Sequence, residues 1–264
     1  MAEASVNPEA VAEDAQAYLP TRPSTARLEA SDVVLRHFPH SPHYWYGSAT
    51  RPRFTEATLE QRVADVRAWF RGAGRAEFMW MFGASATPAG LLERLLALGA
   101  KPEPDDPVAN AMVLDQEPPV GAVSLDVERI RTFEDHRAAM RIVFEAASPE
   151  EWQKTEAGLE AAWAEASADD QMYGFLVREH GEPIAYGQLV WLTNGLPYLG
   201  GAHTLQAARG RGAFRALVRA RWDEAVRRGV PVLLVQAGGM SAPILDGLGF
   251  RRVGQVHVLV DTAA

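Results

Sequence analysis

The sequence predicts an α/β (α+β) fold in two related halves, on three observations. Segments with helical apolar spacing alternate with short strand-like runs along the 264 residues. The pair Asn194-Gly195 is typical of a tight hairpin, whereas the apolar run 230–235 is typical of a buried parallel strand. A helix, a glycine, an apolar strand, a short leucine-rich helix and a strand ending in aspartate occur twice, which indicates a degenerate internal repeat.

The first half is predicted to start after a tail or extended lead-in, residues 1–24, which has three prolines and no apolar period. Its predicted elements are a strand over 32–38, a helix over 59–70, a strand over 77–82, a helix that starts at Thr87-Pro88 and stops at Gly99, and a strand over 108–114. Together they predict one domain over 25–117.

A linker is predicted over 116–121, where prolines and a glycine replace any apolar period. The second domain, 122–264, follows it. Its predicted elements are a strand over 127–131, a helix capped by Thr132, a second helix opened by the capping box at 148–151 and reaching about 166, strands over 172–178, 184–192 and 198–204, a helix after Arg-Gly-Arg-Gly, a strand over 230–235, a short helix over 242–248 and a strand over 251–260.

Composition excludes several classes of function. The chain has no cysteine, so it holds no disulfide, no cysteine-ligated metal and no thiolate nucleophile. No apolar run approaches the ~20 residues of a membrane helix, and the first residues are acidic. We therefore expect a soluble, cytoplasmic protein without a membrane partner.

Charge is distributed unevenly along the chain. The net charge is −8, yet 209–228 contains seven arginines and two acidic residues. Nucleic-acid binding usually shows a broad basic footprint instead of one local stretch. The contrast therefore predicts a small anionic partner for 209–228.

The sharpest motif is Arg209-Gly210-Arg211-Gly212, between a predicted strand and a predicted helix. Glycines let the backbone approach an anion closely, successive N–H groups point into the turn, and the helix start adds positive partial charge. The spacing matches neither the triphosphate loop nor the dinucleotide fingerprint. The motif therefore predicts a pyrophosphate cradle of another kind.

In this context the sequence resembles the GNAT superfamily of acyl-CoA-dependent N-acetyltransferases. The family's phosphate loop reads Q/R-x-x-G-x-G/A, and Arg209, Gly212 and the residues between them match it, with Phe214 at the last small position. The resemblance covers 123–261. It implies a mixed, mostly antiparallel sheet flanked by helices in each half, with a first half that has lost the phosphate cradle.

The resemblance also implies acetyl-CoA as co-substrate. Its pantetheine arm is expected to pair with the backbone of Thr204, Leu205 and Gln206, and a backbone N–H near Leu205 could stabilise the oxyanion. Its pyrophosphate is expected on the amides of Arg209, Gly210, Arg211, Gly212, Ala213 and Phe214. A further cofactor contact is expected at Gly238, where relatives keep an asparagine.

In this family the acyl carbonyl lies at a splay between two parallel strands, here 198–204 and 230–235, where an amine attacks it directly. Tyr198 and His203 are the candidates for proton transfer, alongside a water-mediated route with no dedicated side chain. Leu245 stands where many relatives keep a tyrosine acid, which weakens any specific assignment. The absence of cysteine excludes an acyl-cysteine intermediate.

The first half offers two other candidate features. His37, His40 and His43 invite a metal-site interpretation, but prolines between them prevent a helix and no nearby carboxylate completes a ligand set, so no metal is predicted. The run Tyr44-Trp45-Tyr46 could stack a ligand, although packing in a strand is the commoner fate of such residues.

Two functions remain open at this point. The first is acetyl transfer from acetyl-CoA to a primary amine of an unidentified small-molecule or peptide acceptor. The alternative is a non-catalytic CoA-binding sensor or interaction protein of the same fold, motivated by Leu245, Gly238 and Phe214. Nucleic-acid binding is disfavoured by the net charge. A homodimer is possible in either case.

Overall fold

The computed structural model describes residues 6–40, 43–120 and 125–263, and these form two compact units. Unit 1 contains the described residues up to Met112, together with Gln236–Pro243 and the described residues from Arg252 onward. Unit 2 contains the described residues of Val113–Val235 and Ile244–Arg251. The predicted domains 25–117 and 122–264 stay a prediction. The start of the second predicted domain, at 122, lies outside the described residues.

Unit 1 combines strands from the first half of the sequence with the last strand of the chain. Its elements are α1 (Pro8–Glu13), β1 (Ala26–Glu29), β2 (Val34–His37), β3 (Gly47–Thr50), α2 (Leu59–Gly72), β4 (Glu77–Phe82), α3 (Leu91–Ala97), β5 (Lys101–Pro102), most of β6 (Val108–Leu114) and most of β12 (Arg251–Thr262). The strand order is β1-β2-β3-β4-β12-β6, and β5 pairs with β12. β3 and β4 are parallel, whereas β1 with β2, β2 with β3, β4 with β12 and β5 with β12 are antiparallel.

The last strand of the chain lies inside this sheet. β12 pairs with β4 from His257 opposite Phe82 to Thr262 opposite Glu77. Asp261 is buried there at 1% exposure; its carboxylate accepts hydrogen bonds from the Arg67 guanidinium at 2.8 Å and the Trp80 indole N–H at 2.9 Å. A charged group tolerates burial only with such partners, so this cluster ties β12 to the core.

The first residues of unit 1 differ from their prediction. In place of a tail or extended lead-in, Pro8–Glu13 form α1 and Ala15–Tyr18 form a turn of 3-10 helix, with Val11, Ala12 and Leu19 buried. Asn7 caps α1 by accepting the Glu9 N–H, and Arg27 donates to two carbonyls of the following segment. Short alanine-rich stretches carry little periodic signal, so the packing was not visible in the sequence. Residues 1–5 lie outside the described part.

Two further local predictions for this unit are wrong. Tyr44–Tyr46 form a 3-10 turn instead of a strand, with Trp45 exposed and stacked on His43. The helix expected from Thr87-Pro88 begins at Leu91. Thr87 is held outside that helix because its N–H donates to the Pro52 carbonyl and its hydroxyl to the Phe54 carbonyl.

A buried histidine in unit 1 sets a pH dependence. Arg75 donates from Nε to Nδ1 of His37 at 2.8 Å, and its other nitrogens donate to carbonyls of Phe38 and His43. Loss of hydration, and then the positive charge of Arg75, lower the pKa of His37. The folded protein therefore keeps this imidazole neutral.

We expect the free energy of unfolding to fall as pH drops below about 6.5, because the unfolded chain takes up a proton there that the folded His37 does not. His37→Asn supplies an amide oxygen that accepts from Arg75 at every pH, so it should flatten this part of the profile. Urea unfolding of both proteins between pH 5 and 8 measures the difference. Parallel profiles would contradict the assignment to His37.

Unit 2 contains β7 (Asp126–Arg129), α4 (Phe133–Val143), α5 (Pro149–Glu156), α6 (Leu159–Ser167), β8 (Met172–Glu179), β9 (Glu182–Trp191), β10 (Pro197–Thr204), α7 (Ala213–Arg227), most of β11 (Leu233–Ala237) and most of α8 (Ala242–Asp246). The strand order is β11-β10-β9-β8-β7, antiparallel except for β10 with β11. The predicted caps at Thr132 and Ser148 are present. The second predicted helix is split at Ala157 and Gly158, where α5 ends and α6 begins.

The fold class predicted from the sequence is confirmed: each unit has a mixed, mostly antiparallel sheet flanked by helices. In unit 1, α2 and α3 pack on the sheet through residues such as Phe70 and Leu95. In unit 2, α4, α5 and α6 cover one group of strand residues that includes Leu176 and Tyr186. No helix in the described part of the chain is long and apolar enough to cross a membrane.

Candidate functional site

The glycine-rich segment forms the turn between β10 and α7. Gly210 and Gly212 have φ of +78° and +89°, a backbone conformation that other residues rarely adopt, and Gly212 is the N-cap of α7. The first helical hydrogen bond runs from the Ala216 N–H to the Gly212 carbonyl, so the N–H groups of the preceding turn have no partner inside the helix. These groups and the helix dipole form a site suited to an anion.

Most arginines of 209–228 already have partners within the chain, so the positive charge counted in the sequence overstates what is available to an anion. Four of them form ion pairs: Arg211 with Glu179, Arg219 with Glu117 and Asp223, Arg227 with Glu224, and Arg228 with Glu224 and Asp170. Arg221 is fully buried. In the described part of the chain, Arg209 and Arg215 are the members that are exposed and form no ion pair.

Strands β10 and β11 separate just before the bulge in β10. Their one parallel pair in register is Tyr198 with Leu234. On the other side of β10, Leu199 lies opposite Leu189 of β9 and Ala202 opposite Gly187. Two residues, Gly200 and Gly201, therefore lie opposite the single residue Gln188, which is a β-bulge.

The bulge brings both candidate proton-transfer residues to one face of the sheet. Tyr198 lies opposite Val190, and His203 lies opposite Tyr186. Because alternate residues of β9 share a face, Tyr198, His203 and the Gln188 side chain all lie on the same face, spread over about 13 Å along the strand. An unbulged strand would place residues five apart on opposite faces.

Tyr198 and His203 differ in environment. Tyr198 is buried, with 5% of its surface exposed, where β10 and β11 still adjoin. His203 is exposed at the surface, and partial loss of hydration still lowers the pKa of its imidazole, as does the positive charge of Arg209. The His203 ring is therefore neutral at pH 7 and able to accept a proton.

The three predicted pantetheine contacts are not equivalent. The Leu205 N–H donates to the Ile184 carbonyl at 3.0 Å, so that N–H itself is not free, and an oxyanion contact from an N–H near Leu205 stays a prediction. Since bonded and non-bonded pairs alternate in an antiparallel ladder, Thr204 turns its N–H and C=O away from β9. The Gln206 N–H donates to both carboxylate oxygens of Glu145, at 3.0 and 3.2 Å.

Gly238 and Leu245 lie in different surroundings. Gly238 belongs to unit 1, where a side chain at this position would collide with Asp106, and the neighbouring Gly239 N–H donates to the Asp106 carboxylate at 2.6 Å. Leu245 of α8 is completely buried. Gly238 stays a prediction as a cofactor contact, and Leu245 acts as a core residue.

Three features of this site escaped sequence reasoning. They are the bulge at Gly200 and Gly201, the Gln188 side chain on the same face as the candidate residues, and the Glu145 carboxylate on the loop after α4. The paired glycines inside a predicted strand were a usable signal, because glycine in a strand often marks a bulge. Gln188 and Glu145 carried no local signal.

Unit 1 has no comparable cradle between β3 and α2 in its described residues. That segment contains Phe54, which is buried, and the N–H groups of Arg53 and Phe54 donate to the carbonyls of Asp32 and Thr87. Among the described residues, no group of three or more histidine and acidic side chains could hold a metal ion.

Comparison with known proteins agrees with the geometry. Residues 133–242 match the acetyltransferase (GNAT) family model, a span that includes the bulged strand, the glycine turn and α7. This part of the chain is similar to that family. A search of the curated proteins finds no match to this sequence.

GNAT proteins of known structure share the fold over most of the chain. A GCN5-related N-acetyltransferase from Kribbella flavida is 18% identical with a TM-score of 0.69, covering 98% of this chain and 96% of that one. A tandem GNAT protein from the clavulanic acid biosynthesis pathway is 16% identical with a TM-score of 0.58, covering 100% and 90%. A GCN5-related N-acetyltransferase from Sphaerobacter thermophilus is 18% identical with a TM-score of 0.56, covering 89% and 82%. The two-half GNAT arrangement predicted from the sequence is therefore confirmed as a fold.

Proposed function

We propose that the protein is an N-acetyltransferase that moves an acetyl group from acetyl-CoA directly to a primary amine. The observation that carries this proposal is an anion-binding helix start at Gly212 that directly follows a bulged strand diverging from its parallel neighbour. Acetyl-CoA is a thioester on a long arm that ends in a diphosphate. The bulged strand suits its thioester end, and the helix start that follows suits its phosphates.

The residues present fit acetyl-CoA in two places. The N–H groups of the first turn of α7, with the unpaired Arg209 and Arg215, suit the pyrophosphate. The outward-facing N–H and C=O of Thr204 suit the amides of the pantetheine arm, as a strand added to β10. The Gln206 N–H would join them only after Glu145 moves away, because its carboxylate occupies that donor.

The proposed reaction is a direct acyl transfer. The neutral amine nitrogen attacks the thioester carbonyl carbon, and the new C–N bond gives a tetrahedral oxyanion. As the oxyanion collapses the C–S bond breaks, the thiolate leaves and is protonated to free CoA, and the nitrogen releases its remaining extra proton to solvent to give the amide. Backbone N–H groups at the Gly200–Gly201 bulge are our candidates for stabilising the oxyanion, in place of Leu205. The ammonium form of the amine must first lose one proton.

We assign that proton to His203 or to a water that His203 orients, and protonation of the leaving thiolate to Tyr198. Support comes from their placement: both flank the bulge on one face, two residues to either side of it, and the His203 imidazole is neutral at pH 7. A buried tyrosine beside the point where the strands part suits an acid.

The test is ligand-dependent stabilisation followed by turnover. CoA and acetyl-CoA should each raise the melting temperature of the full chain, by an amount that grows with ligand concentration. Free CoA should then be released from acetyl-CoA when a panel of primary amines is added, such as polyamines, aminoglycosides, amino acids and lysine peptides. Tyr198→Phe and His203→Gln should each reduce that release about 10- to 100-fold, and His203→Gln should also remove the acidic limb of the pH profile.

The same experiment separates the second candidate, a CoA-binding sensor. The buried Leu245 favours it, because the position where many relatives keep a tyrosine acid is a core leucine here. Stabilisation by CoA without amine-dependent CoA release would favour the sensor. No stabilisation by either compound would contradict both functions.

A further inference from the structure

Arg221 of α7 is a charged residue buried without an acidic partner. It is 1% exposed, its Nε donates to the Leu217 carbonyl at 2.9 Å, and one terminal nitrogen donates to the Gln188 carbonyl at 3.2 Å. The other terminal nitrogen is buried with no hydrogen-bond partner among the described residues. Burial lowers the pKa of Arg221 to about 9, which reflects the cost of placing this charge in the core.

The hydrogen bond from Arg221 reaches the backbone carbonyl of Gln188, which is the residue of β9 that lies opposite the bulge in β10. Gly187 makes room for the guanidinium, since a side chain there would lie 3.2 Å from its central carbon. On the other face, a side chain at Gly200 would lie 2.6 Å from the Gln188 amide oxygen. Gln188 is therefore held from both faces: its carbonyl by Arg221, and its side chain against Gly200.

A hydrophobic residue would fill the place of Arg221 at no cost in buried charge, so stability alone does not account for an arginine here. We propose that Arg221 is a positioning residue that holds the Gly200–Gly201 bulge in the geometry in which it receives the acyl group. This inference rests on the proposed function. It assigns to α7, through Gln188, a role at the acyl end of the site in addition to its role at the phosphate end.

The test is hydrogen exchange of the full chain, measured by mass spectrometry, alone and with CoA or acetyl-CoA. Arg221→Met keeps the length and removes the donors. Arg219→Met is the matched control, because Arg219 lies on the same helix but pairs with Glu117 and Asp223 on the surface. In Arg221→Met without ligand, exchange in 199–203 should be about 10-fold faster than in wild type, with no change in Arg219→Met.

Protection from exchange by CoA and acetyl-CoA then tests whether Arg221 acts at the acyl end of the site. In wild type and Arg219→Met, both compounds should protect 209–215, and acetyl-CoA alone should add protection at 199–203. In Arg221→Met the protection of 209–215 should stay while the acetyl-specific protection is lost. Arg221→Lys, which keeps the charge but loses the planar fork, should give intermediate exchange and covers the case in which Arg221→Met does not fold.

Two results would overturn the inference: wild-type exchange at 199–203 in both Arg221 variants, or acetyl-specific protection that is absent in wild type or unchanged in Arg221→Met. Failure of the proposed function has a different signature. In that case neither CoA nor acetyl-CoA protects any segment of the wild-type protein from exchange. The exchange rates at 199–203 without ligand still show whether Arg221 stabilises the bulge.

Discussion

Gly212→Glu is expected to abolish the binding of CoA and acetyl-CoA while leaving the protein folded. A Cβ at Gly212 meets no atom within 4 Å, so the new side chain enters open space at the start of α7. Its carboxylate would lie by the N–H groups that the phosphates need, and like charges in contact cost several kcal/mol. We expect the Kd for CoA to rise by at least ~100-fold, measured by titration calorimetry.

Gly229→Glu is a matched control at the other end of the same helix. Gly229 also has a positive φ, +78°, and a Cβ there also meets open space, so the backbone strain and the added charge are the same. This variant should lose somewhat more stability than Gly212→Glu, because a carboxylate is unfavourable at the C-terminus of a helix, and it should bind CoA as wild type does. If Gly212→Glu and Gly229→Glu bind CoA equally well, the phosphates do not bind at 209–215.

Asp261→Ala is expected to lower the free energy of unfolding by about 3–5 kcal/mol, the usual result of removing one partner of a buried ion pair. The substitution leaves the Arg67 guanidinium without its anion and the Trp80 indole N–H, in the core of unit 1, without an acceptor. For a chain of this size the melting temperature should fall by roughly 10 °C. Denaturant unfolding and calorimetry measure both quantities.

Asp115→Ala is the control for this change, because Asp115 ends the other strand of the sequence repeat. Its carboxylate is half exposed and pairs with the equally exposed Arg251 at 3.0 Å. A surface pair of this kind contributes about 0–1 kcal/mol. If Asp261→Ala and Asp115→Ala lower the free energy of unfolding equally, the Asp261 cluster contributes no more to stability than a surface ion pair.

Local signals predicted much of the fold. β4 and β6 were placed to the residue, and the capping box at Ser148 and the cap at Thr132 were correct, because apolar alternation and side-chain caps act within a few residues. The strand β3 was missed because four small residues carry no alternation. The partner of β12 depends on contacts about 180 residues apart, and no local pattern reports such a pairing.

Without the family resemblance, the sequence predicted the candidate site only where backbone geometry depends on glycine, and Tyr198, His203 and Thr204 were named from the resemblance. Gly210 and Gly212 carried enough information to place an anion cradle, because their conformation is rare for other residues. The arginine count was misleading, since charge in a sequence does not show which side chains already have partners. Arg221, counted among the seven arginines of 209–228, lies in the core beside Gly187.

The pairing of β12 with β4 has a consequence for how the protein is made. During synthesis β4 emerges some 180 residues before its neighbour in the sheet, so its edge stays open until nearly the whole chain has left the ribosome. Contacts between such distant residues also slow folding. A fragment cut at 116–121 would keep this open edge permanently, so the first half is a poor candidate for expression alone and an aggregation hazard when translation stops early.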